Sequence, residues 1–248
     1  MKKVILVTGA GRGIGASVAL MAGSRGYRVA VNYVKDAVSA NKVVDAILMD
    51  GGEAFAIQAD VGDLQSVEKM FKVIDEKWQR LDVLVNNAGM LANFRVEDVS
   101  DENISQIFRT NVFSTYFCSR EAVRRMSTKH GGSGGAIINL SSVAARLGGL
   151  GGGSGYAATK AAISTFTLAL AKEVGHEGIR VNAVSPGLIE TEIHNVHGGI
   201  SQMQELAKTA VPMGRHGSTN EVAEAILWLA SDAASYVDGT VLDVSGGR

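Results

Sequence analysis

The sequence predicts a three-layer α/β fold, a doubly wound parallel sheet of seven strands with helices on both faces, in one domain over residues 1–248. Three observations predict it. Short continuous apolar runs alternate with helical patterns along the whole chain. A glycine-rich turn follows directly on the first of those runs. A tyrosine and a lysine four residues apart then sit at the start of a long, almost uncharged helical pattern, downstream of a serine-ended strand.

Buried parallel strands read as short apolar runs bounded by turn signals. The candidates are Val4–Val7, Val29–Tyr33, Ala54–Gln58, Val83–Val85, Ala136–Leu140, Val181–Val184 and Val241–Val244. Between them lie helical patterns over Ile14–Ser24, Ser39–Asp50, Leu64–Trp78, Glu102–Met126, Tyr156–Val174, Met203–Lys208 and Asn220–Ser231. Strands alternating with helices imply right-handed crossovers and a parallel sheet covered on both faces. Ligands of such sheets bind beyond the carboxyl ends of the strands.

The bulk properties exclude several classes of function. At 248 residues the chain is long enough for one large core, and no linker-like shift in composition divides it. The stretch Gly131-Gly132-Ser133-Gly134-Gly135 is too short for a domain boundary. With 24 basic and 25 acidic residues the net charge is −1, and no basic run appears, so nucleic acid and anionic membranes are not expected partners. No segment is long and apolar enough for a membrane span, and the apolar run after Met1-Lys2-Lys3 is too short for a signal peptide. A cytoplasmic protein is expected. Cys118, the only cysteine, lies in an apolar helical stretch and reads as a buried structural thiol. No His/Cys/Asp cluster has metal-ligand spacing, so no metal is expected.

The first turn carries the first piece of chemistry. Thr8-Gly9-Ala10-Gly11-Arg12-Gly13-Ile14-Gly15 links the first strand to a helix N-terminus. Backbone N–H groups converge at such a place, and glycine lets a pyrophosphate approach without a Cβ clash. The spacing of Gly9, Gly13 and Gly15 is G-x-x-x-G-x-G, not the general G-x-G-x-x-G. Glycines alone say little in a chain with 30 of them. Their place between strand and helix is what marks a nucleotide site.

The second piece is Tyr156-Ala157-Ala158-Thr159-Lys160. Residues four apart on a helix lie one above the other. An ammonium beside a phenol, whose free pKa is ~10, favours the phenolate and equips it for proton exchange near neutrality. Read alone, the same pair also describes an exposed Tyr–Lys contact on an amphipathic helix.

Together these motifs resemble the short-chain dehydrogenase/reductase family over essentially the whole chain. The matching residues are Thr8 to Gly15, Asn86-Asn87-Ala88-Gly89, Asn111, Ser142, Tyr156 to Lys160, Pro186-Gly187 and the tail Tyr236 to Gly247. Within the family the chain is similar to bacterial glucose-dehydrogenase-like and 3-oxoacyl-reductase-like members. The resemblance implies a Rossmann fold and an oxidoreductase that moves a hydride between a nicotinamide and a carbonyl or secondary alcohol.

It also implies roles. Tyr156 would donate or accept the proton. Lys160 would bind the nicotinamide ribose and lower the tyrosine pKa. Ser142, 14 residues before Tyr156, would orient the substrate oxygen, with Ser141 a competitor because the usual gap is often one residue shorter. Asn111 would hold a water between the lysine and solvent; read bare, an asparagine within a helix caps or kinks it. The cofactor would be lined by Gly9, Arg12, Gly13, Ile14 and Gly15, by Asp60 and Val61, by Asn87, Ala88 and Gly89, and by Pro186, Gly187, Ile189 and Thr191.

Users of NAD commonly end the second strand with an acid for the ribose 2′-OH. Here Tyr33 stands at that place with Lys35 and Arg12 close by, which favours NADP(H) over NAD(H); Asp36 is the counter-argument. The substrate pocket is expected between Met90–Arg95, Arg146–Leu150 and Leu188–Gln204, with Arg95 and Arg146 among its walls. Glu192 to Ser201 resembles a mobile lid, and Gly148 to Gly155 an active-site loop. Residues Ala161 to Ala171 carry no charge, so both faces of that helix should be buried. A homotetramer, or a dimer, provides the cover. The rival functional reading is a non-catalytic NADP(H)-sensing or binding protein on the same fold; an epimerase or dehydratase is a third.

Overall fold

A computed structural model describes residues 2–149, 151–191 and 199–248. The strands are β1 (Val4–Val7), β2 (Arg28–Tyr33), β3 (Glu53–Gln58), β4 (Val83–Asn86), β5 (Gly135–Leu140), β6 (Ile179–Pro186) and β7 (Val241–Val244). They form one sheet in the order β3-β2-β1-β4-β5-β6-β7, every pair parallel. All seven expected strands are present.

Strand geometry explains why these runs are apolar throughout. Successive side chains point to opposite faces. In β1, Ile5 and Val7 pack with Val18, Val43 and Ile226, whereas Val4 and Leu6 pack with Phe71, Ile74, Cys118 and Leu170. The first set belongs to a layer of α1 (Gly13–Ser24), α2 (Ala37–Met49) and α9 (Thr219–Ala230). The second belongs to α3 (Leu64–Trp78), α5 (Ser114–Met126) and α7 (Ser154–Val174). A sheet covered on both faces has no use for alternation. Cys118 is fully buried, and burial pushes its thiol pKa up, as befits a structural cysteine.

Local chemistry sets the helix starts. Asp36 caps α2 by accepting from the Ser39 N–H at 3.0 Å, and Asp63 caps α3 by accepting from Ser66 at 2.8 Å. Ser218 and Glu221 form a capping box on α9. The short helix α6 (Ala144–Leu147), which no periodicity announces, follows β5, and α8 (Gly199–Ala210) extends beyond the expected Met203–Lys208.

The expected single helix Glu102–Met126 is the main correction. It is α4 (Asp101–Phe108), a π-helical turn over Arg109–Phe113, and then α5. One extra residue in the turn preserves the side-chain periodicity on either side, so the pattern reads as one helix. Such π-bulges are often found at functional sites.

The chain leaves β1 for β2 on one side and reaches β4 on the other. The crevice between β1 and β4, at the carboxyl ends, is the switch point where ligands of such sheets bind. Buried asparagines stitch that edge together. Asn32 Oδ1 accepts from Gly9 N at 3.1 Å, and its Nδ2 donates to Ala59 O at 3.1 Å. Asn86 Nδ2 donates to Asn139 Oδ1 at 2.9 Å, and Asn139 Nδ2 donates to Thr167 Oγ1 at 2.9 Å. Replacing Asn139 with alanine strands both partners in the interior. A loss of about 2 kcal/mol is expected, which lowers the melting temperature by about 4–8 °C in a thermal scan.

Candidate active site

A cleft of about 730 Å³ opens along the carboxyl edge of the sheet, a size usual for ligand sites. The glycine-rich turn forms one end. Gly9 and Gly13 have φ of +60° and +56°, the left-handed region that other residues adopt at a cost. A Cβ on Gly15 would lie 2.6 Å from the Gly9 carbonyl and closer still to Asn87 Nδ2. That asparagine fixes the turn, since its Nδ2 donates to Thr8 O at 2.8 Å and to Gly9 O at 3.1 Å. Thr8 Oγ1 accepts in return from the N–H groups of Asn87 and Ala88, each at 3.0 Å.

Helix α1 starts at this turn without a side-chain cap and without an acid in its first turn. Its leading N–H groups therefore suit an anion. These features fit a dinucleotide. Every residue assigned to the cofactor by sequence, apart from Gly15 behind the turn, lines the cleft: Gly9, Arg12, Gly13, Ile14, Tyr33, Lys35, Asp60, Val61, Asn87, Ala88, Gly89, Pro186, Gly187, Ile189 and Thr191.

Tyr33 ends β2, and Lys35, Ser39 and Arg12 lie around it. Asp36 also borders this end of the cleft, but its carboxylate is engaged. Ser39 donates to it from both Oγ (2.6 Å) and N, and those bonds hold its pKa below the usual carboxylate range, aided by the charges of Arg12 and Lys42.

At the other end stand Tyr156, Ser142, Lys160 and Asn111. Ser142 follows β5 and lines the cleft together with Tyr156. The neighbouring Ser141 is engaged elsewhere: its Oγ donates to Lys160 O at 3.0 Å and meets Ser164 Oγ at 2.7 Å. The two serines that spacing left open thus differ in their bonds. Desolvation pushes the Tyr156 pKa up, and the Ser142 hydroxyl only partly offsets this.

Lys160 is 5 % exposed. Its Nζ donates to Leu140 O at 2.7 Å and lies 5.7 Å from the centroid of the Tyr156 ring. Burial pulls its pKa down to about 8. Its ammonium is directed at the end of β5.

Asn111 lies in the π turn, and its side-chain amide is fully engaged by protein. Nδ2 donates to Met90 O and to Thr159 Oγ1, both at 3.0 Å, and Oδ1 accepts from Met90 N at 2.8 Å. Gly89 is wedged beside it: a Cβ there would lie 3.4 Å from Asn111 Oδ1 and 3.5 Å from Lys160 Nζ.

Beyond this candidate group, Leu91, Asn93, Gln106, Thr110, Val143, Ala144, Leu147 and Leu188 line the cleft. Two expected wall residues do not. Arg95 pairs with Glu97 on the surface, and Arg146 reaches Asp243 at 3.2 Å, each drawn outward by a carboxylate. Gly149 and Gly153 of the glycine loop do reach the cleft. Phe94 N donates to Gly152 O at 2.9 Å, and a Cβ on Gly155 would lie 2.6 Å from the Phe94 ring. The expected lid, with Glu192, His194, His197 and Gly198, lies outside the described residues, as does Leu150. Among the described residues no three His, Cys, Asp or Glu side chains converge as a metal site, and no helix is long and apolar enough to cross a membrane.

Sequence reasoning missed Asn32 and Thr159. Asn32 has a legible signal, a buried polar residue inside the apolar run Val29–Tyr33. Thr159 has none of its own, because only the fold brings it to Asn111.

Comparison with known proteins agrees with this arrangement. A family model described as Enoyl-(Acyl carrier protein) reductase matches residues 9–248. An uncharacterized oxidoreductase, YgfF of Escherichia coli K12, is 48% identical over 246 residues, covering 99% of both chains. Versicolorin reductase 1 of Dothistroma septosporum is 38% identical over 99% of this chain and 95% of its own. The 3-oxoacyl-[acyl-carrier-protein] reductase FabG of Staphylococcus aureus is 38% identical over 100% of this chain and 98% of its own. Among solved structures, a short chain dehydrogenase from Burkholderia cenocepacia in complex with NADP superposes with a TM-score of 0.91 at 32% identity, over 99% of this chain and 97% of that one. With its sheet order, its glycine turn and its Ser142–Tyr156–Lys160 group, the chain belongs to the short-chain dehydrogenase/reductase family and is an NAD(P)-dependent oxidoreductase acting on C=O or CH–OH groups.

Proposed function

We propose that this protein is an NADPH-preferring carbonyl reductase in which Tyr156 supplies the proton, Ser142 orients the substrate oxygen and Lys160 holds the nicotinamide ribose. The observation that carries this reading is the Tyr156 phenol itself. It lines the cleft with Ser142 and Lys160, half-buried, and desolvation raises its pKa, so it stays protonated at neutral pH, as a proton donor must. The bound nicotinamide supplies the hydride. Ser142 and the phenol together form the pair of donors that meets the oxygen on which negative charge develops. Lys160, charged below about pH 8, adds a nearby cation to the same dry end of the cleft.

The preference for NADPH rests on Arg12, Lys35 and Ser39 around Tyr33, with Asp36 withdrawn into its capping bonds. It is supported by the NADP bound to the Burkholderia relative. The reading as a sensor that binds cofactor without turnover gains no support from a chain that keeps serine, tyrosine and lysine together.

The whole of residues 1–248 is taken as one domain working in the cytoplasm. Its assembly is read as a homotetramer. Phe113, Tyr116 and Leu168 are 42 %, 50 % and 44 % exposed, and Tyr116 stacks on Phe166 with centroids 4.1 Å apart. This apolar strip runs along α5 and α7, so the second face expected for Ala161 to Ala171 is open to a second copy.

Two outcomes test the chemistry. Tyr156→Phe keeps the ring and removes the proton, so turnover of carbonyl compounds should fall by at least about 100-fold while the NADPH dissociation constant, read by fluorescence titration, stays within about threefold. Retained turnover contradicts the assignment. In the double variant Arg12→Ala with Lys35→Ala, NADPH should lose about 10-fold or more in affinity and NADH little, since each charge-assisted contact to a 2′-phosphate contributes ~1.5–3 kcal/mol. Equal losses for both cofactors contradict the preference.

A further inference from the structure

We infer that Thr159 is a positioning residue of the reaction, because its hydroxyl ties the Asn111 amide, and with it the π turn and the Gly89–Met90 loop, to the Tyr156–Lys160 turn of α7. This inference rests on the reading of Tyr156 and Lys160 given above.

The proton arrangement is forced. Thr159 is fully buried, and its Oγ1 donates to Tyr156 O at 2.7 Å. A hydroxyl has one proton, so with that proton spent it offers only a lone pair to its other neighbour. The neighbour is Asn111 at 3.0 Å, which must therefore present its NH₂. The second amide proton goes to Met90 O, and Oδ1 is left to accept from Met90 N at 2.8 Å. The Met90 N–H and C=O already set which way this interior amide faces, and the hydroxyl joins the oriented amide to the turn that carries Tyr156. That amide also borders Gly89, where a Cβ would come into van der Waals contact with both Asn111 Oδ1 and Lys160 Nζ. The π turn needs such an anchor, since its hydrogen-bond pattern departs from the regular helix.

Helix α7 carries its own control. Thr167, also fully buried, has the same chemistry: Oγ1 donates to Ile163 O at 2.9 Å and accepts from Asn139 Nδ2 at 2.9 Å. It ties the helix to β5 at Asn139, does not line the cleft, and hydrogen-bonds none of Tyr156, Lys160 or Asn111.

The test uses the full chain as wild type, Thr159→Val, Thr159→Ser, Thr159→Ala, Thr167→Val and Tyr156→Phe. Each is measured for melting temperature, NADPH affinity by fluorescence titration, and initial rates with saturating NADPH and 9,10-phenanthrenequinone as carbonyl probe. Thr159→Val and Thr167→Val should lose similar thermal stability, each having lost one buried hydroxyl. Only Thr159→Val should lose kcat, by about 10- to 100-fold, because small misplacements in a preorganised site are that costly. Its NADPH affinity should stay within about fivefold, since Lys160 keeps its own bonds to β5. Thr159→Ser should recover kcat to within about threefold of wild type. Should the valine variant not fold, Thr159→Ser and Thr159→Ala differ only in the hydroxyl and carry the same comparison. A kcat for Thr159→Val equal to that of Thr167→Val, or a serine variant as slow as the alanine one, overturns the inference alone. A wild type that binds NADPH but reduces no ketone or quinone, or an active Tyr156→Phe, overturns the underlying reading and the inference with it.

Discussion

The interaction on which the rest of this site depends is the bond from the Lys160 ammonium to the Leu140 carbonyl at the end of β5. It is 2.7 Å long and shielded from water. It joins the helix that carries Tyr156 to the strand that leads into Ser142, so the two residues proposed to meet the substrate oxygen are linked by one contact. The bond is costly to maintain. Burial pulls the lysine from 10.5 down to about 8, which corresponds to about 3 kcal/mol against the charged form. The sign follows from linkage. The unfolded chain binds the proton more tightly, so the penalty is present in full below about pH 8 and disappears as pH rises through the unfolded value. A buried lysine held at such a cost in a cleft is a candidate functional residue.

Around that bond the sheet provides everything else. The strand order places β1 and β4 side by side at the switch point, and the glycine turn after β1 leaves a helix N-terminus without a cap. The asparagines Asn32, Asn87, Asn86 and Asn139 then span the carboxyl edge with hydrogen bonds to backbone and to one another. A polar network of this kind is rigid when every member is satisfied. No buried polar side-chain atom among the described residues lacks a partner. The cleft floor is therefore stiff, which suits a reaction that depends on position and on fixed dipoles.

Much of this was legible before any coordinates. The strands were readable because sheets covered on both faces demand continuous apolar runs, and the nucleotide end was readable because a glycine turn between strand and helix has few other uses. Tyr156 and Lys160 were readable from helical spacing. What escaped depended on non-local contacts. The π turn hid inside an unbroken periodicity, and Thr159 looks in sequence like any small residue within a helix. The assignment of Ser142 over Ser141 turned on which way a strand end points, and spacing alone left that open. Arg95 and Arg146 looked like pocket walls until Glu97 and Asp243 were seen to draw them outward. Helical spacing likewise set Lys160 on the face of Tyr156 but not where its long side chain ends, at the Leu140 carbonyl.

In the proposed reaction a buried lysine, its pKa pulled down to about 8, works beside a phenol whose pKa is raised. The most direct test is the pH dependence of kcat/KM for NADPH in carbonyl reduction, which reports ionisations of the free enzyme. The account predicts a plateau at neutral pH and a fall of about tenfold per unit above about pH 8, as Lys160 loses its proton while Tyr156 keeps its own. A plateau that persists to about pH 10, falling only where a phenol ionises, would contradict it.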